Sequence, residues 1–586
     1  MPDSGDIRGV DPSQRPDSEV RVFPLPPRSG AGPDEILQGF LEALTSDDPQ
    51  FEVARKYLTP DASKEWHPEL STTILRDGPN TRHVGHGAYE NGDDGAQYSL
   101  QGTRIATVDE QHAYDVAEGD YNEVVHLTQA KTSGSSGNRE WRIDRPPGGI
   151  VLGSADFQRI YRPIDKYYYS DIPADGRGSQ GALVADPVYI RQRVDPVTQT
   201  VRALLSGPTR WLEPVVHTGF PSGTQLKQGV SALSTDEQNR LKVPLNSRAD
   251  HTGQAECQIM AAQIIYSLQD LSSSGIAEVD LERSDGSSLC VLSADDAESI
   301  APHRTAGHPG YQYFLDAKKR LVRMPSSGSD HDPLPVPGPM GTGDQTFAAA
   351  AVSHGENRAA GISPDKRSLF VTDLTSSASL GTAVVTSHAK KEDDRLTAPS
   401  WDGRGGLWVA DRDPEDPRLL LLGQGRQTPI AVATPGLDPS TIQAVRASAD
   451  GARIALLIDR DGKKELRIGR VDQTSGGANL AVTVAELRPA APQLEEVTAM
   501  SWAGGSRLVV VGREHGGVQQ MRYVQCDGSA PAGNILPGLT GVKEIAASDD
   551  DRLPLVAHSD DGIVRMSPGE PWQTVQEAGT APVYPG

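Results

Sequence analysis

Arg446-Ala447-Ser448-Ala449-Asp450-Gly451, followed by Arg453-Ile454-Ala455-Leu456-Leu457-Ile458, decides how the C-terminal half of this chain folds. An apolar stretch enters a Ser-x-Asp-Gly turn and a second apolar stretch leaves it. Asp accepts hydrogen bonds from its own turn, and Gly supplies the positive φ that a tight hairpin needs. The phrase returns as Gly361-Ile362-Ser363-Pro364-Asp365-Lys366, Ala398-Pro399-Ser400-Trp401-Asp402-Gly403, Ala499-Met500-Ser501-Trp502-Ala503-Gly504 and Ala546-Ala547-Ser548-Asp549-Asp550-Asp551. In chain order, the serines are spaced 37, 48, 53 and 47 residues apart. A repeat of that length made of short strands predicts a β-propeller over residues 310–586, with one blade per repeat and so about five blades. A first hairpin, 311–315 with 320–324, is expected to pair with the C-terminal segment and close the ring. The phrase aspartates read as turn formers.

Upstream, two α+β blocks are expected. Residues 1–32 carry prolines at 2, 12, 16, 24, 26 and 27 and no apolar periodicity, so they read as a mostly extended tether. A domain over 33–150 starts with a helix whose Ile36, Leu37, Phe40, Leu41 and Leu44 share one face. A second helix turns Val53, Ala54, Tyr57 and Leu58 inward, and Trp66 closes the helical layer. Antiparallel strands over 97–109, 113–117, 121–131 and 140–144 follow. Residues 151–183 read as a connector whose Tyr161, Tyr167, Tyr168 and Tyr169 serve either as a ligand platform or as packing between neighbouring domains. The second block, 184–300, has strands at 183–191, 224–233 and 240–245. It has helices at 196–205 and 254–271, and a hairpin across Ser284-Asp285-Gly286.

Composition excludes several functions. The formal net charge is −23, so phosphate backbones and anionic bilayers are poor partners and no nucleic-acid binding is expected. No run of eighteen apolar residues spans a membrane, and the polar opening Met1-Pro2-Asp3-Ser4-Gly5-Asp6 is no secretory signal. No Gly-x-Ser-x-Gly, His-Glu-x-x-His, Cys-x-x-Cys or P-loop occurs, so no catalytic residue, cofactor or metal is assigned. Asp459-Arg460-Asp461-Gly462 resembles a calcium loop, but Arg470 stands where its last carboxylate belongs, which favours a hairpin turn. Asp411, Asp413 and Asp416 read as a solvated acidic turn. His83 and His86 have no third metal ligand nearby in sequence. Cys257 and Cys290 are either a disulfide, in an oxidising compartment, or two small buried apolar residues. Cys526 reads as a core residue.

The chain resembles the actinobacterial lipoprotein LpqB family. The resemblance rests on Met1-Pro2-Asp3-Ser4-Gly5-Asp6, Val20-Arg21-Val22-Phe23-Pro24-Leu25-Pro26-Pro27-Arg28 and Ile36-Leu37-Gln38-Gly39-Phe40-Leu41-Glu42-Ala43-Leu44-Thr45. Ala54-Arg55-Lys56-Tyr57-Leu58-Thr59 and Trp141-Arg142-Ile143-Asp144-Arg145-Pro146-Pro147 continue it. A spore-germination-type GerMN domain is marked by Ala203-Leu204-Leu205-Ser206-Gly207-Pro208, Pro221-Ser222-Gly223-Thr224 and the long 254–271 helix. The resemblance implies an NTF2-like N-terminal domain, a GerMN domain and a propeller. It also implies a non-catalytic lipoprotein on the outer face of the cytoplasmic membrane. The anchor would be a lipidated cysteine that this chain does not contain. The implied partner is the extracytoplasmic part of the sensor histidine kinase MtrB, whose two-component system governs envelope and division responses; a cell-wall-derived ligand is a further expectation. The alternative is an enzyme or ligand-binding module that acts on envelope glycans or peptides through a propeller face.

Overall fold

The computed structural model describes residues 24–84, 95–131, 139–171, 181–269, 271, 275–300, 309–327, 332–425, 428–476, 479–531, 533 and 535–586. Most of the expected tether, His86 and the loop before the propeller lie outside them. The chain divides into two compact units. The first comprises the described residues up to Ile105 together with Glu118–Ile160 and Arg191–Val194. The second comprises Ala106–Ala117, Tyr161–Ile190 and Asp195–Gly586.

The first unit sets helices on a sheet, the order expected of the NTF2-like block. Pro33 opens the helix Pro33–Leu44, where its missing N–H costs nothing, and Ile36, Leu37, Phe40, Leu41 and Leu44 are buried on one face. The Phe40 ring meets Trp66 edge-on at 5.5 Å. Gly39 lets the Tyr57 ring lie against the helix backbone, where a Cβ would sit 2.4 Å from the hydroxyl oxygen. Strands Arg139–Arg145, Tyr114–Lys131, Gly95–Val108, Thr72–Leu75 and Ile150–Gly153 lie side by side in that order, with Asn80–His83 on the flank of Gly95–Val108. The runs at 113–117 and 121–131 are thus one long strand. The expected connector is structured throughout its described part. Ile150–Gly153 pairs parallel with Thr72–Leu75, Ser154–Ile160 is a helix, and Tyr161–Ser170 is a strand of the second unit.

The second unit begins with the GerMN-like block. Leu183–Arg191, Tyr161–Ser170 and Val216–His217 form one small sheet; Arg240–Pro244, Glu278–Glu282 and Ser288–Ser293 form another. Between them runs Gln254–Leu268, buried around most of its circumference. The stretch 224–233, expected as a strand, makes only the isolated bridge Leu226–Leu245. Gly223 and Gly229, both at positive φ, turn the backbone out of any ladder there. Tyr167, Tyr168 and Tyr169 are buried, and the Tyr168 and Tyr169 hydroxyls donate to the carbonyls of Leu204 and Ile259. Tyr168 and Tyr169 pack in the core, while Tyr167, buried as well, also borders a hollow.

Cys257 on the helix and Cys290 on the strand form a disulfide that closes a loop of 33 residues. Closing a loop of that length restricts the unfolded chain by about 3–4 kcal/mol. Replacing both cysteines with alanine is therefore expected to lower the second unit's melting temperature by several degrees. Calorimetry with and without reductant checks this: unchanged melting would mean that the bridge contributes nothing.

Residues 311–583 form six sheets among the described residues, not five. Five open with the inner strands Ala349–Val352, Ser400–Trp401, Ile442–Ala447, Glu496–Trp502 and Glu544–Ala546. The sixth is composite: Tyr311–Asp316 pairs with Leu321–Pro325 on one side and with the C-terminal Gly579–Val583 on the other, and this closes the ring. Ser448 and Ser548 occupy equivalent turns after the inner strands, whereas Ser400 and Ser501 lie in the inner strands themselves, just before the corresponding turns. Ser363 does neither; it sits one hairpin later, between Arg358–Ile362 and Ser368–Asp373. The counterpart of Ser448 in its blade is Ser353, whose N–H donates to Arg358 O as that of Ser448 does to Arg453 O.

The phrase residues join blades as well as making turns. Ser448 Oγ accepts from Arg453 N, and Asp450 accepts from Ala452 N. Ser400 Oγ accepts from Ala447 N, and Ser501 Oγ from Ala547 N, each in the next blade. Trp401 and Trp502 reach the other way, donating to Ala351 O and Arg446 O in the preceding blade.

Candidate functional site

The face of the propeller carrying these turns meets the GerMN-like block, and one hydrophobic core runs through both. Three polar clamps fix the junction. Arg453 is fully buried at the start of Arg453–Arg460. It donates to Ala185 O of the GerMN-like block (2.9 Å), to Gly505 O (2.6 Å) and to Asp450 (2.5 Å), and it contacts Cys526 Sγ at 3.4 Å. Burial works against its charge, and Asp450 more than restores it, so its pKa stands above the ordinary value. Trp211 is the second clamp. Its carbonyl accepts from Arg470 (2.6 Å), its indole N–H donates to Glu486 O (3.2 Å), and Arg488 lies 5.1 Å over its ring. The third is Ser506, whose hydroxyl reaches Asp165 at 3.0 Å.

A buried acid stands beside these clamps. Asp527 has one carboxylate oxygen without a hydrogen-bond partner. Burial pushes its pKa up to about 6, and Asp165 adds to the rise. Tyr189 donates to Ser529 next to it and stacks obliquely on Tyr114, with ring centres 5.5 Å apart. Deeper in the GerMN-like block, the fully buried Lys166 pairs with Asp186 at 3.4 Å and donates to Gly207 O. Burial lowers the Lys166 pKa, and Asp186 opposes that.

Two hollows open at the junction. The larger, about 350 Å³, is a vestibule between the two blocks, lined among others by Asp165, Tyr167, Asp450, Ser506, Asp549 and Asp551. The smaller, about 80 Å³, is the bore of the propeller, lined by inner-strand residues of all six blades, including Trp401, Arg446 and Trp502.

The residues singled out in the sequence fall elsewhere. Asp459 accepts from Gly462 N in a hairpin turn, and Arg470 pairs with Asp472. Asp411 is not a solvated turn residue. It ends the strand Leu407–Asp411, is fully buried, and is held by Ser387 (2.7 Å) and Arg418 (3.1 Å). Asp413 is buried as well. His83 lies on an exposed strand, edge-on to Tyr98. Among the described residues, no three potential ligands gather to hold a metal. Cys526 is buried, and that burial raises its thiol pKa to about 12. Sequence reading passed over Arg453, Trp211 and Arg446. The visible signal was a charge heading the otherwise apolar Ile454-Ala455-Leu456-Leu457-Ile458.

Comparison with known proteins gives the same three-part division. Residues 26–158 match the N-terminal domain of lipoprotein LpqB, and residues 320–585 its β-propeller domain. Residues 166–290 match the Germane family, described as sporulation and spore germination. Lipoprotein LpqB of Streptomyces avermitilis is 57% identical over 100% of this chain and 95% of its own. That of Streptomyces coelicolor is 53% identical, with the same coverage. That of Mycolicibacterium smegmatis is 24% identical over 100% of this chain and 96% of its own. Among solved structures, a nidogen/laminin complex aligns with 47% of this chain and 97% of its own at 9% identity and a TM-score of 0.34. The β-propeller domain of Cps50 from Myceliophteria thermophila aligns with 44% and 80% at 13% identity and a TM-score of 0.29. Those last two values are too low to carry weight here.

Proposed function

The chain belongs to the lipoprotein LpqB family, and from that premise we propose a non-catalytic accessory role at the cell envelope. In this reading the protein is lipid-anchored on the outer face of the cytoplasmic membrane. There it binds the extracytoplasmic part of a sensor histidine kinase of the MtrB type and modulates its envelope and division signalling. The observation that carries the reading is the joining of the GerMN-like block and the propeller, two modules suited to binding, through one core into a single surface. The Cys257–Cys290 disulfide favours an oxidising compartment. An anchor would confine the search to the membrane and raise the effective concentration of a membrane-bound partner, so a weak contact suffices. The surface nearer such an anchor, residues 24–300, is the preferred contact.

The test keeps the chain whole, because a cut near residue 305 would split the shared core. The intact protein is expected to co-purify with the kinase ectodomain, and hydrogen exchange in the complex is expected to slow mainly within 24–300. Slowing confined to 311–586 would move the contact to the propeller. Failure to co-purify, together with no exchange difference, would remove the partner from the proposal.

A further inference from the structure

The propeller turn 525–529 is pressed tightly against the rest of the second unit. Gly528 stands at φ +89°, and a Cβ there would lie 2.6 Å from a Val116 methyl and 2.5 Å from Pro489 O. Gln493 donates to Gly528 O at 3.3 Å, and Cys526 N donates to Ser506 O at 2.8 Å. Asp527 is buried within this turn. Its Oδ1 accepts from Ser529 N at 2.9 Å, and its Oδ2 meets no donor. Ser529 Oγ in turn accepts from the hydroxyl of Tyr189, buried on Leu183–Arg191. The carboxyl group therefore sits where the propeller meets the GerMN-like block, short of the donors that an ionised carboxylate gathers.

The groups around Asp527 do little to hold its charge. Asp165, on Tyr161–Ser170, adds a like charge. Arg488, on Asn479–Pro489, is the opposing cation, but it lies 5.1 Å over the Trp211 ring and forms no ion pair with Asp527 among the described residues. Arg453 reaches Cys526 Sγ and is engaged by Asp450. Tyr114 and the Cys526 thiol are kept neutral by burial. Ionised, Asp527 is a buried charge without compensation; neutral, it is a small polar group that costs far less to bury. We propose that Asp527 is a proton-operated catch at this junction: neutral, it lets the turn stay seated on Tyr189 and Val116; ionised, it favours opening of the turn and loosens the propeller from the GerMN-like block. The catch is independent of the kinase contact and stands or falls without it.

The direction is fixed by where the carboxyl group holds its proton more tightly. Seated, it does so up to about pH 6; in the open turn it behaves as an ordinary aspartate, near about 4. The cost of ionisation is thus absent below about pH 4, grows between the two values and is complete above the higher one. His112, whose carbonyl accepts from Tyr189 N, acts in the opposite sense. Burial and Lys166 lower its pKa, so its protonation loosens the region toward acid.

Amide hydrogen exchange of the intact protein, corrected for the pH dependence of chemical exchange, tests this at about pH 7.5 and about pH 5. Opening within 519–530 and 183–191 is expected to be roughly tenfold more frequent at the higher pH. Asp527→Asn, neutral at both, is expected to open at least about tenfold less often than the parent at the higher pH, and to lose most of the pH dependence. The same pH dependence in parent and variant overturns the proposal. So does a folded Asp527→Asn that opens as often as the parent, or more often, at the higher pH. If that variant does not fold, the parent decides: His112 by itself would raise opening toward acid, so opening that does not fall toward acid overturns the proposal.

Discussion

Arg453→Met is expected to destabilise the second unit by about 3–5 kcal/mol, although methionine fills much of the same space. The loss comes from what arginine leaves behind. Asp450 stays buried with its counter-charge gone, and the carbonyls of Ala185 and Gly505 lose donors. A double variant, Arg453→Met with Asp450→Asn, removes the stranded charge and is expected to recover a substantial part. Thermal unfolding of single and double variants measures both numbers. A single variant that melts like the parent would mean that Arg453 does not clamp the junction.

Phe40→Asp is expected to unfold the first unit outright. Phe40 is completely buried beneath Trp66, and removing such a ring costs about 3–5 kcal/mol before any charge is considered. The aspartate that replaces it sits in an apolar layer and resists ionising, so its pKa in the folded state rises above the unfolded value. The sign follows: folding binds a proton more tightly, the deficit is largest at neutral pH, and it shrinks as pH falls toward the unfolded carboxylate value. Circular dichroism and limited proteolysis at pH 7 and at lower pH test this. A parent-like melting temperature at pH 7 would show that Pro33–Leu44 is not docked as described.

The propeller was legible because its turn chemistry is local. Ser448, Asp450 and Gly451 satisfy one another within a few residues and leave a pattern in the sequence. The count fell one short for a reason built into the ring. In the composite blade, the inner strand and its neighbour, Gly579–Val583 and Tyr311–Asp316, come from opposite ends of the domain. No hairpin joins them, so no turn phrase is written. Ser353 was missed because the turn after it runs His354-Gly355-Glu356-Asn357, without the aspartate. Ser363 took its place in the count because Pro364-Asp365 mimics the phrase one hairpin later. The junction was illegible for another reason. Arg453 finds its carbonyl at Ala185 and Arg470 its own at Trp211, hundreds of residues away, and nothing near either arginine records the partner. Asp411 misled because Arg412-Asp413-Pro414 looks like an exposed turn, whereas the strand runs on into Asp411 and buries it.

The composite blade also sets an order on synthesis. A ribosome delivers Tyr311–Asp316 long before Gly579–Val583 exists, so this strand must wait with one edge unpaired while five further blades emerge. Until the last strand arrives the domain is an open arc, and its bore, walled in part by Val583, Tyr584 and Pro585, has a gap in its circumference. A chain that stops a few residues short would keep almost all of its sequence and still lack a closed ring. Closure thus depends on Gly579–Val583, the strand that seals the ring against Tyr311–Asp316.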